Sequence, residues 1–254
     1  MIILVIPNVV YIFIVILPLV ILFLLPFIAS YIKGKKDLER ASQLYITLIE
    51  KNLRKYKNLL IKQREGKDIL EMEYFIDVPS YNAKLLLNVS LIERRTYVYY
   101  MYKIFGHLPD FITIRGNTEK KPIASLIIVS RKRKKILSKL MDYLSQLQEI
   151  EIRGLSKDLI FASDHSRYAK RYLTKDLLEK IFRIRNEINF IFIDYSQPNI
   201  DISCEITEKN ASEVITSIFS MITILLRNLN AVKGVGKETE ISKYLRRVLT
   251  EIRH

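Results

Sequence analysis

The first 32 residues of the chain contain no charged side chain, and Lys33, Lys35 and Lys36 follow directly. An apolar run longer than about 20 residues is typical of a transmembrane helix, whereas a run of about 10 to 14 is typical of a buried core helix. Eighteen of the residues from Val9 to Ile32 are Val, Ile, Leu or Phe, and their insertion into a bilayer gains about 5–10 kcal/mol. Two spans would need about 40 residues. The sequence therefore predicts one transmembrane anchor over residues 1–33.

A cleaved signal peptide is the alternative interpretation of this segment. It requires a basic n-region, a short apolar h-region and small residues before the cleavage point. Here no Lys or Arg precedes the apolar run, and the run is too long. For a cut after Ala29 or Ser30, Phe27 or Ile28 would occupy the position of a small residue. These mismatches favour an uncleaved anchor.

The segment that follows the anchor is strongly basic. Residues 33–64 carry ten Lys or Arg against three Asp or Glu, a net charge of +7 and half of the chain's +14. Such a flank is typical of the cytoplasmic side, which predicts a cell-membrane protein with its N-terminus outside and its C-terminal domain in the cytoplasm. The candidate membrane-surface contacts are the first four basic residues, Lys33, Lys35, Lys36 and Arg40. They either bind anionic headgroups or only fix the topology.

Residues 34–66 are predicted to form a basic amphipathic stalk helix. Over 36–64, apolar residues recur at three- and four-residue steps, at Leu38, Ala41, Tyr45, Leu48, Ile49, Leu53, Tyr56 and Leu60. A seven-residue series suggests a coiled-coil seam, at Leu38, Tyr45, Asn52 and Leu59. Lys55 and Lys62 fall where the second apolar position of that seam belongs. The stripe therefore packs on the protein's own domain or, as the alternative, mediates self-association.

After Gly66 the apolar period changes from 3.6 to 2, which is typical of half-buried strands. Residues 70–78 alternate in this way up to Pro79, and 84–93 and 96–104 are predicted as the next two strands. Further strands are predicted at 110–115, 123–130, 148–153, 158–163, 188–195 and 200–207. Such close spacing favours an antiparallel sheet.

Helices are predicted at 131–147, 165–186, 209–232 and 238–253. The third contains thirteen residues without a charge, Val214 to Leu226. That is too short for a membrane span, so it is predicted as a core helix unless Arg227 snorkels to an interface. The fold class is therefore α+β, with a cytoplasmic domain over 67–254 that forms either one core or two subdomains, 67–130 and 131–254.

The order of elements between Leu159 and Ile206 resembles a known family. A strand with Phe161 and Ser163-Asp164 precedes Ala169, Leu173-Thr174, a helix and two short strands that end in Ile200-Asp201-Ile202. This resembles the C-terminal region of membrane-anchored prokaryotic proteins of unknown function whose core is pleckstrin-homology-like. Members of that family often have two spans, where this chain has one. The resemblance implies a binding or scaffolding domain and names no functional residue.

Residues suited to catalysis or metal binding are few. The chain has three His and one Cys, and no zinc-binding spacing is present. Asp164-His165-Ser166 suggests a catalytic triad, but neighbouring residues at a helix start point in different directions, so a capped helix start is favoured. Gly234-Val235-Gly236-Lys237 lacks the other residues of a phosphate loop. The sequence predicts no catalytic, metal or cofactor site and a protein that is not an enzyme.

A basic run precedes a predicted helix, at Arg131, Lys132, Arg133, Lys134 and Lys135. Positive charge is unfavourable at a helix N-terminus, so an anionic partner at these residues is one hypothesis: a lipid headgroup, a nucleic-acid phosphate or an acidic protein surface. The alternative is a solvated basic edge beside Glu149 or Glu151.

Tyrosines dominate the predicted strand after Arg94-Arg95, from Tyr97 to Tyr102. Aromatic side chains on a sheet stack with the bases of single-stranded nucleic acid, and a strand that is covered on both faces is the alternative. The sequence as a whole predicts a single-pass, non-enzymatic cytoplasmic binding or scaffold protein that acts at the membrane surface through protein partners. The alternative function is a membrane-tethered protein that binds nucleic acid or anionic lipid.

Overall fold

A single helix of 37 residues, α1 (Leu17–Leu53), contains part of the predicted anchor and most of the predicted stalk. The computed structural model describes residues 17–54, 59–60, 70–106, 108–195 and 199–232. The large apolar side chains described in the outer half of α1, residues 17–32, are exposed. In the inner half, residues 33–53, one stripe is fully buried at Leu38, Ala41, Tyr45, Ile49 and Leu53. The inner half is therefore a core helix of the domain.

The strands form one antiparallel sheet, which confirms the predicted α+β class with packed helices. Within the described ranges its strands are β1 (Leu59–Leu60), β2 (Glu71–Val78), β3 (Ala83–Ser90), β4 (Asp110–Thr118), β5 (Leu126–Ser130), β6 (Gln148–Glu149), β7 (Leu159–Ser163), β8 (Ile188–Ile193) and β9 (Ile200–Ile206). Their spatial order is β1-β2-β3-β4-β9-β8-β5-β7-β6. Strand β5 ends at Ser130 and pairs with β7 and β8, so strands from both sides of residue 130 belong to one sheet. The division of 67–254 into one core or two subdomains stays a prediction.

Five further helices are described: α2 (Tyr97–Phe105), α3 (Lys134–Leu144), α4 (Ser166–Tyr172), α5 (Lys175–Arg183) and α6 (Ala211–Ala231). The inner half of α1 and helices α4 to α6 cover one face of the sheet in the main core. Helix α3 packs on the other face, where Leu140 and Tyr143 meet alternate residues of β5 and β8 such as Ile127 and Phe190. Because both faces are covered, every residue of β5 and β8 is buried.

Helix α6 is long and apolar enough, by length and composition, to cross a membrane, and it alone among the described helices meets those criteria. However, 61% of its most apolar window is buried inside the domain. Its buried side chains include Ile218, Ile222 and Leu226. The sequence predicted this helix as a core helix, and the structure places it there.

Several predicted boundaries are wrong. The segment 96–104 is a helix rather than a strand, and the predicted helix 165–186 is divided between α4 and α5. Helix α1 ends at Leu53 and Leu59 lies in a strand, so the seven-residue series does not form one helical seam. The apolar stripe of the predicted stalk was expected either to pack on the protein's own domain or to mediate self-association, and in the inner half of α1 it lies in the main core. Residues 1–16 of the predicted anchor and the predicted helix 238–253 lie outside the described residues.

Candidate functional site

One end of the sheet lies where α1 passes from its exposed half to its buried half. Strand register places Asp110 opposite Ile206 and Ile188 opposite Cys204. Val129, at the end of β5, lies opposite Phe190, so the last residues of β5 are at the same end. We call it the junction end, and the opposite one the far end.

A buried ionic network ties α1 to the junction end. The guanidinium of Arg94 donates to Asp110 Oδ2 at 2.5 Å, to Glu208 Oε1 at 2.7 Å and to the backbone oxygen of Asp37 at 3.2 Å. The Tyr45 hydroxyl donates to the same Asp110 oxygen at 2.7 Å, and the Ile92 backbone N–H donates to Asp110 Oδ1 at 2.9 Å. The network therefore joins α1, the loop after β3, the start of β4 and the loop before α6.

The charges in this network are taken out of water. Only 7% of the Arg94 side chain and 1% of the Asp110 side chain are exposed. Burial, together with the neighbouring Asp110 carboxylate, raises the pKa of Tyr45 well above its usual range. Loss of one partner would leave the other charge buried and unpaired, a change that typically costs about 3–5 kcal/mol. The network holds the junction in one geometry.

Gly34 allows the loop after β3 to approach α1. A Cβ atom at this position would overlap the backbone carbonyl of Arg94 and lie 2.8 Å from the Cα of Arg95. Backbone atoms cannot move aside as a side chain can, so a larger residue would push the loop away from α1. The glycine is therefore required by close packing.

Helix α2 lies against α1 at the junction end. The rings of Phe27 and Tyr97 are 5.1 Å apart, and Lys33 Nζ lies 5.2 Å from the centre of the Tyr100 ring. Thr96 is the N-cap of α2, and its side chain accepts a hydrogen bond from the Tyr99 backbone N–H at 3.3 Å. The run from Tyr97 to Tyr102 is equally compatible with a helix and a strand, because it has no clear period. The cap at Thr96 favours the helix. The predicted base-stacking strand is therefore wrong.

The predicted membrane-surface residues lie on α1 at the junction end. Lys33, Lys35, Lys36 and Arg40 are all exposed. They directly follow the exposed apolar side chains of the outer half, and their contact with a membrane stays a prediction.

The predicted anionic-ligand residues lie at the same end, directly after β5. Arg131 donates to Glu149 Oε1 and to the Ser156 backbone oxygen, both at 2.9 Å, Lys132 donates to Asn186 at 2.7 Å, and Arg133 pairs with Glu205 at 2.5 Å. Helix α3 begins at Lys134, so Arg131, Lys132 and Arg133 precede the helix that they were predicted to open. Lys134 and Lys135 are exposed on its first turn. Binding of an anion by these residues stays a prediction.

Asp164, His165 and Ser166 do not form a triad. Asp164 Oδ1 accepts the Ser125 backbone N–H at 2.9 Å, and the Ser166 hydroxyl donates to Gln148 at 2.8 Å. The His165 ring contacts the Tyr168 ring edge-on. Burial raises the pKa of Asp164, and the Ser125 N–H and His165 oppose that shift. Within the described part of the chain, no group of three or more His, Cys, Asp or Glu could hold a metal ion.

Sequence reasoning missed two features of the junction end: the network around Arg94 and Asp110, and the exposed apolar face of α2. Neither residue of the ion pair belongs to a motif, since Arg94 and Asp110 are sixteen positions apart. For α2 the sequence does contain a signal. Thr96 directly before the Tyr-rich run is a residue that favours the N-cap of a helix.

No family model and no curated protein matches the chain. Among solved structures, the crystal structure of the mycobacterial trehalose monomycolate transport factor A, TtfA, is similar with a TM-score of 0.33 and 6% identity, over 72% of this chain and 95% of that chain. The predicted family resemblance over 159–206, which covers β7 to β9, stays a prediction.

Proposed function

We propose that the protein is a single-pass membrane protein whose cytoplasmic α+β domain is a non-enzymatic scaffold that binds protein partners at the membrane surface. One observation carries this proposal: α1 continues without a break from an outer half with exposed apolar side chains to an inner half in the domain core. The outer half is the described part of the predicted anchor.

The exposed outer half favours a lipid environment. Large apolar patches on a protein surface mark sites of protein or membrane contact. The exposed side chains are Leu19, Val20, Ile21, Leu22, Leu24, Leu25, Phe27, Ile28, Tyr31 and Ile32. They occur all around the helix rather than on one stripe, as expected for a helix surrounded by lipid. The uncharged sequence from Met1 supplies the remaining length of a span.

The buried junction supports a scaffold role. A domain on a flexible linker samples many orientations, but here the anchor helix is itself a core helix, fixed by Arg94 and Asp110. The domain is therefore held in one orientation relative to the membrane, with its junction end towards the lipid and its far end towards the cytoplasm. Protein partners would therefore bind domain surfaces that stay at a constant distance from the membrane.

Topology is tested by cysteine accessibility in whole cells. The chain's single cysteine, Cys204, is fully buried, so a Lys170→Cys variant adds one exposed thiol on α4. We expect a membrane-impermeant maleimide to label it only after the cells are permeabilised, while the unmodified chain stays unlabelled in both states. Labelling in intact cells would overturn the cytoplasmic placement.

The scaffold role is tested by affinity purification of the full-length protein in mild detergent. We expect a membrane-associated protein to co-purify at stoichiometric amounts. The matched control is a Leu19→Lys/Leu22→Lys/Leu25→Lys variant, in which three charges at about 2.5–3.5 kcal/mol each offset the free energy of insertion. It retains the domain surface but loses the location. Purification of the chain alone from both preparations would contradict the scaffold proposal.

Anionic lipid binding is the second candidate, because strand register places Lys134 and Lys135 at the same end as Lys33 and Lys35. A fluorophore on a Ser138→Cys variant, one turn beyond Lys134, should shift its emission in anionic vesicles but not in zwitterionic ones. A Lys134→Gln/Lys135→Gln variant should lose that shift. The nucleic-acid alternative now depends on the basic run alone, and binding of a single-stranded oligonucleotide by these lysines would favour it over lipid.

A further inference from the structure

The apolar face of helix α2 is exposed rather than packed on the domain. Tyr97, Met101 and Ile104 recur at helical spacing on one face, flanked by Val98 and Tyr102, and all five are exposed. Ile104 is 75% exposed, the largest value among the large apolar residues described. Tyr99, on the opposite side, is the buried residue of the helix. A surface helix of a water-soluble domain shows the reverse arrangement.

The exposed face of α2 is continuous with the outer half of α1. Tyr97 lines a shallow apolar depression together with Leu19, Leu22, Pro26 and Phe27. Apart from this contact with α1, the described residues leave the face uncovered. The exposed face of α2 and the exposed outer half of α1 must therefore lie in the same environment.

The contacts of α2 with α1 indicate how deep α2 lies relative to the membrane surface. Phe27, which contacts Tyr97, precedes Lys33 by six residues, or about 9 Å along a helix that rises 1.5 Å per residue. Tyr100 lies beside Lys33, and its hydroxyl donates to Asp37 at 3.4 Å. Helix α2 therefore starts on the lipid side of Lys33 and reaches the level of the charged flank. Interfacial helices bury their apolar faces to a depth of about 5–10 Å.

The residue types of α2 fit the same boundary. Tyrosine places an apolar ring in lipid and a hydroxyl among headgroups, which is why it is enriched at membrane interfaces. Two of the five residues on the exposed face of α2 are Tyr, Tyr97 and Tyr102, and the helix's one charged residue, Lys103, lies over the buried Tyr99 ring at 5.6 Å. Basic groups at the same level, Lys33 and Lys35, complement the anionic headgroups.

We propose that α2 is an interfacial membrane helix, whose face of Tyr97, Val98, Met101, Tyr102 and Ile104 inserts into the lipid of the cytoplasmic leaflet beside the anchor. This inference rests on the proposed anchor. It gives the domain a second membrane contact, and two contacts prevent the domain from rotating about the axis of α1 or tilting on it. Lipid, rather than a second copy of the chain, is the occupant because the face extends the anchor's own lipid-facing surface.

The absence of tryptophan from the chain makes a direct test possible. Full-length single-tryptophan variants are reconstituted in vesicles that contain lipids brominated either near the headgroup or near the end of the acyl chain. Tyr102→Trp reports on α2, and Ile21→Trp reports on the anchor. Tyr168→Trp is the control, because this tyrosine is also exposed but lies on α4, which begins at the far end.

We expect headgroup-proximal bromine to remove most of the fluorescence of Tyr102→Trp and acyl-terminal bromine to quench Ile21→Trp, with Tyr168→Trp unaffected. In a Met101→Glu background, Tyr102→Trp should lose its quenching while Ile21→Trp keeps it. If Ile21→Trp is quenched but Tyr102→Trp is not, the interfacial helix is overturned and the anchor stands, which includes the case of a second copy covering α2. If Ile21→Trp is itself unquenched, the anchor is overturned and the inference with it.

Discussion

The outer half of α1 and helix α6 are both rich in apolar side chains, yet their surroundings are opposite. In α6, 61% of the most apolar window is buried by the domain. The large apolar side chains that the structure describes in the outer half of α1 are each 44–66% exposed. Apolar composition therefore does not decide where such a helix lies, and the difference between the two helices comes from the partners that the fold gives each of them.

Helix α6 has partners on several sides. It packs with the inner half of α1, with α4 and α5 and with the sheet, and Asn228 donates to the Tyr172 backbone oxygen at 2.9 Å. The outer half of α1 contacts α2, through rings such as Phe27 and Tyr97, and its large apolar side chains that the structure describes stay exposed. An apolar helix with partners forms a core, and one without them requires another apolar medium.

The largest expected effect comes from a charge placed in each helix. Ile222→Lys in α6 buries an unpaired ammonium at a fully buried position, so the free energy of unfolding should fall by more than about 4 kcal/mol and the domain should fail to fold. Ile28→Lys in the outer half of α1 should leave the domain folded but reduce its retention in the membrane. Unfolding is followed in detergent by reaction of the buried Cys204 thiol with a fluorogenic maleimide.

A matched control separates burial from charge in this comparison. Thr216→Lys places the same group on the exposed side of α6 and should change the free energy of unfolding by less than about 0.5 kcal/mol. If Ile28→Lys unfolded the domain while Ile222→Lys did not, the assignment of core helix and exposed helix would be reversed.

The next effect concerns the junction between the two environments. Arg94→Met leaves the Asp110 carboxylate buried without its charge partner and should lower the free energy of unfolding by about 3–5 kcal/mol. Arg95→Met is the control, because its pair with Glu93 is partly exposed and surface pairs contribute only about 0–1 kcal/mol. Equal losses from both variants in the Cys204 assay would show that the buried network does not hold the junction.

Removal of one tyrosine hydroxyl from each half of α1 should have a smaller effect on the free energy of unfolding. Tyr45→Phe removes the donor to Asp110 in the core and should lower the free energy of unfolding by about 1–3 kcal/mol. Tyr31→Phe removes an exposed hydroxyl in the outer half and should leave it unchanged. Thermal unfolding in detergent measures both, and a larger shift for Tyr31→Phe would contradict the division of α1 into an exposed and a buried half.

The sequence predicted the elements whose pattern is local. Met72, Tyr74 and Ile76 alternate with Glu73, Phe75 and Asp77, and β2 buries the first three as the period of 2 requires. Helix α6 was predicted as a core helix because its uncharged stretch is short. The buried stripe of α1 from Leu38 to Leu53 was likewise predicted from three- and four-residue spacing.

The elements that the sequence did not predict depend on distant partners. An apolar run such as Tyr97 to Tyr102 has no period of its own, so the cap at Thr96 and the neighbouring helix decide its structure. The ion pair of Arg94 and Asp110 joins a loop that packs on Gly34 to the start of β4, and a linear pattern does not contain these contacts. Leu59 likewise belonged to the predicted helical series, yet it pairs with Ile76 of β2, a partner that the helical spacing does not contain.

The smallest expected effect lies at the far end and should change domain stability without changing membrane retention. Burial raises the pKa of Asp164, so its protonated form favours folding at low pH, and that contribution is lost as the pH rises through the raised value. Asp164→Asn keeps an oxygen for the Ser125 N–H and stays neutral. Its melting temperature should therefore exceed that of the unmodified chain at pH 7, with the gain shrinking as the pH falls towards the ordinary Asp value of 3.8. Circular dichroism in detergent follows both curves. A gain that is constant with pH would exclude ionisation of Asp164 as its cause, and a changed membrane fraction would show that the far end is coupled to the anchor.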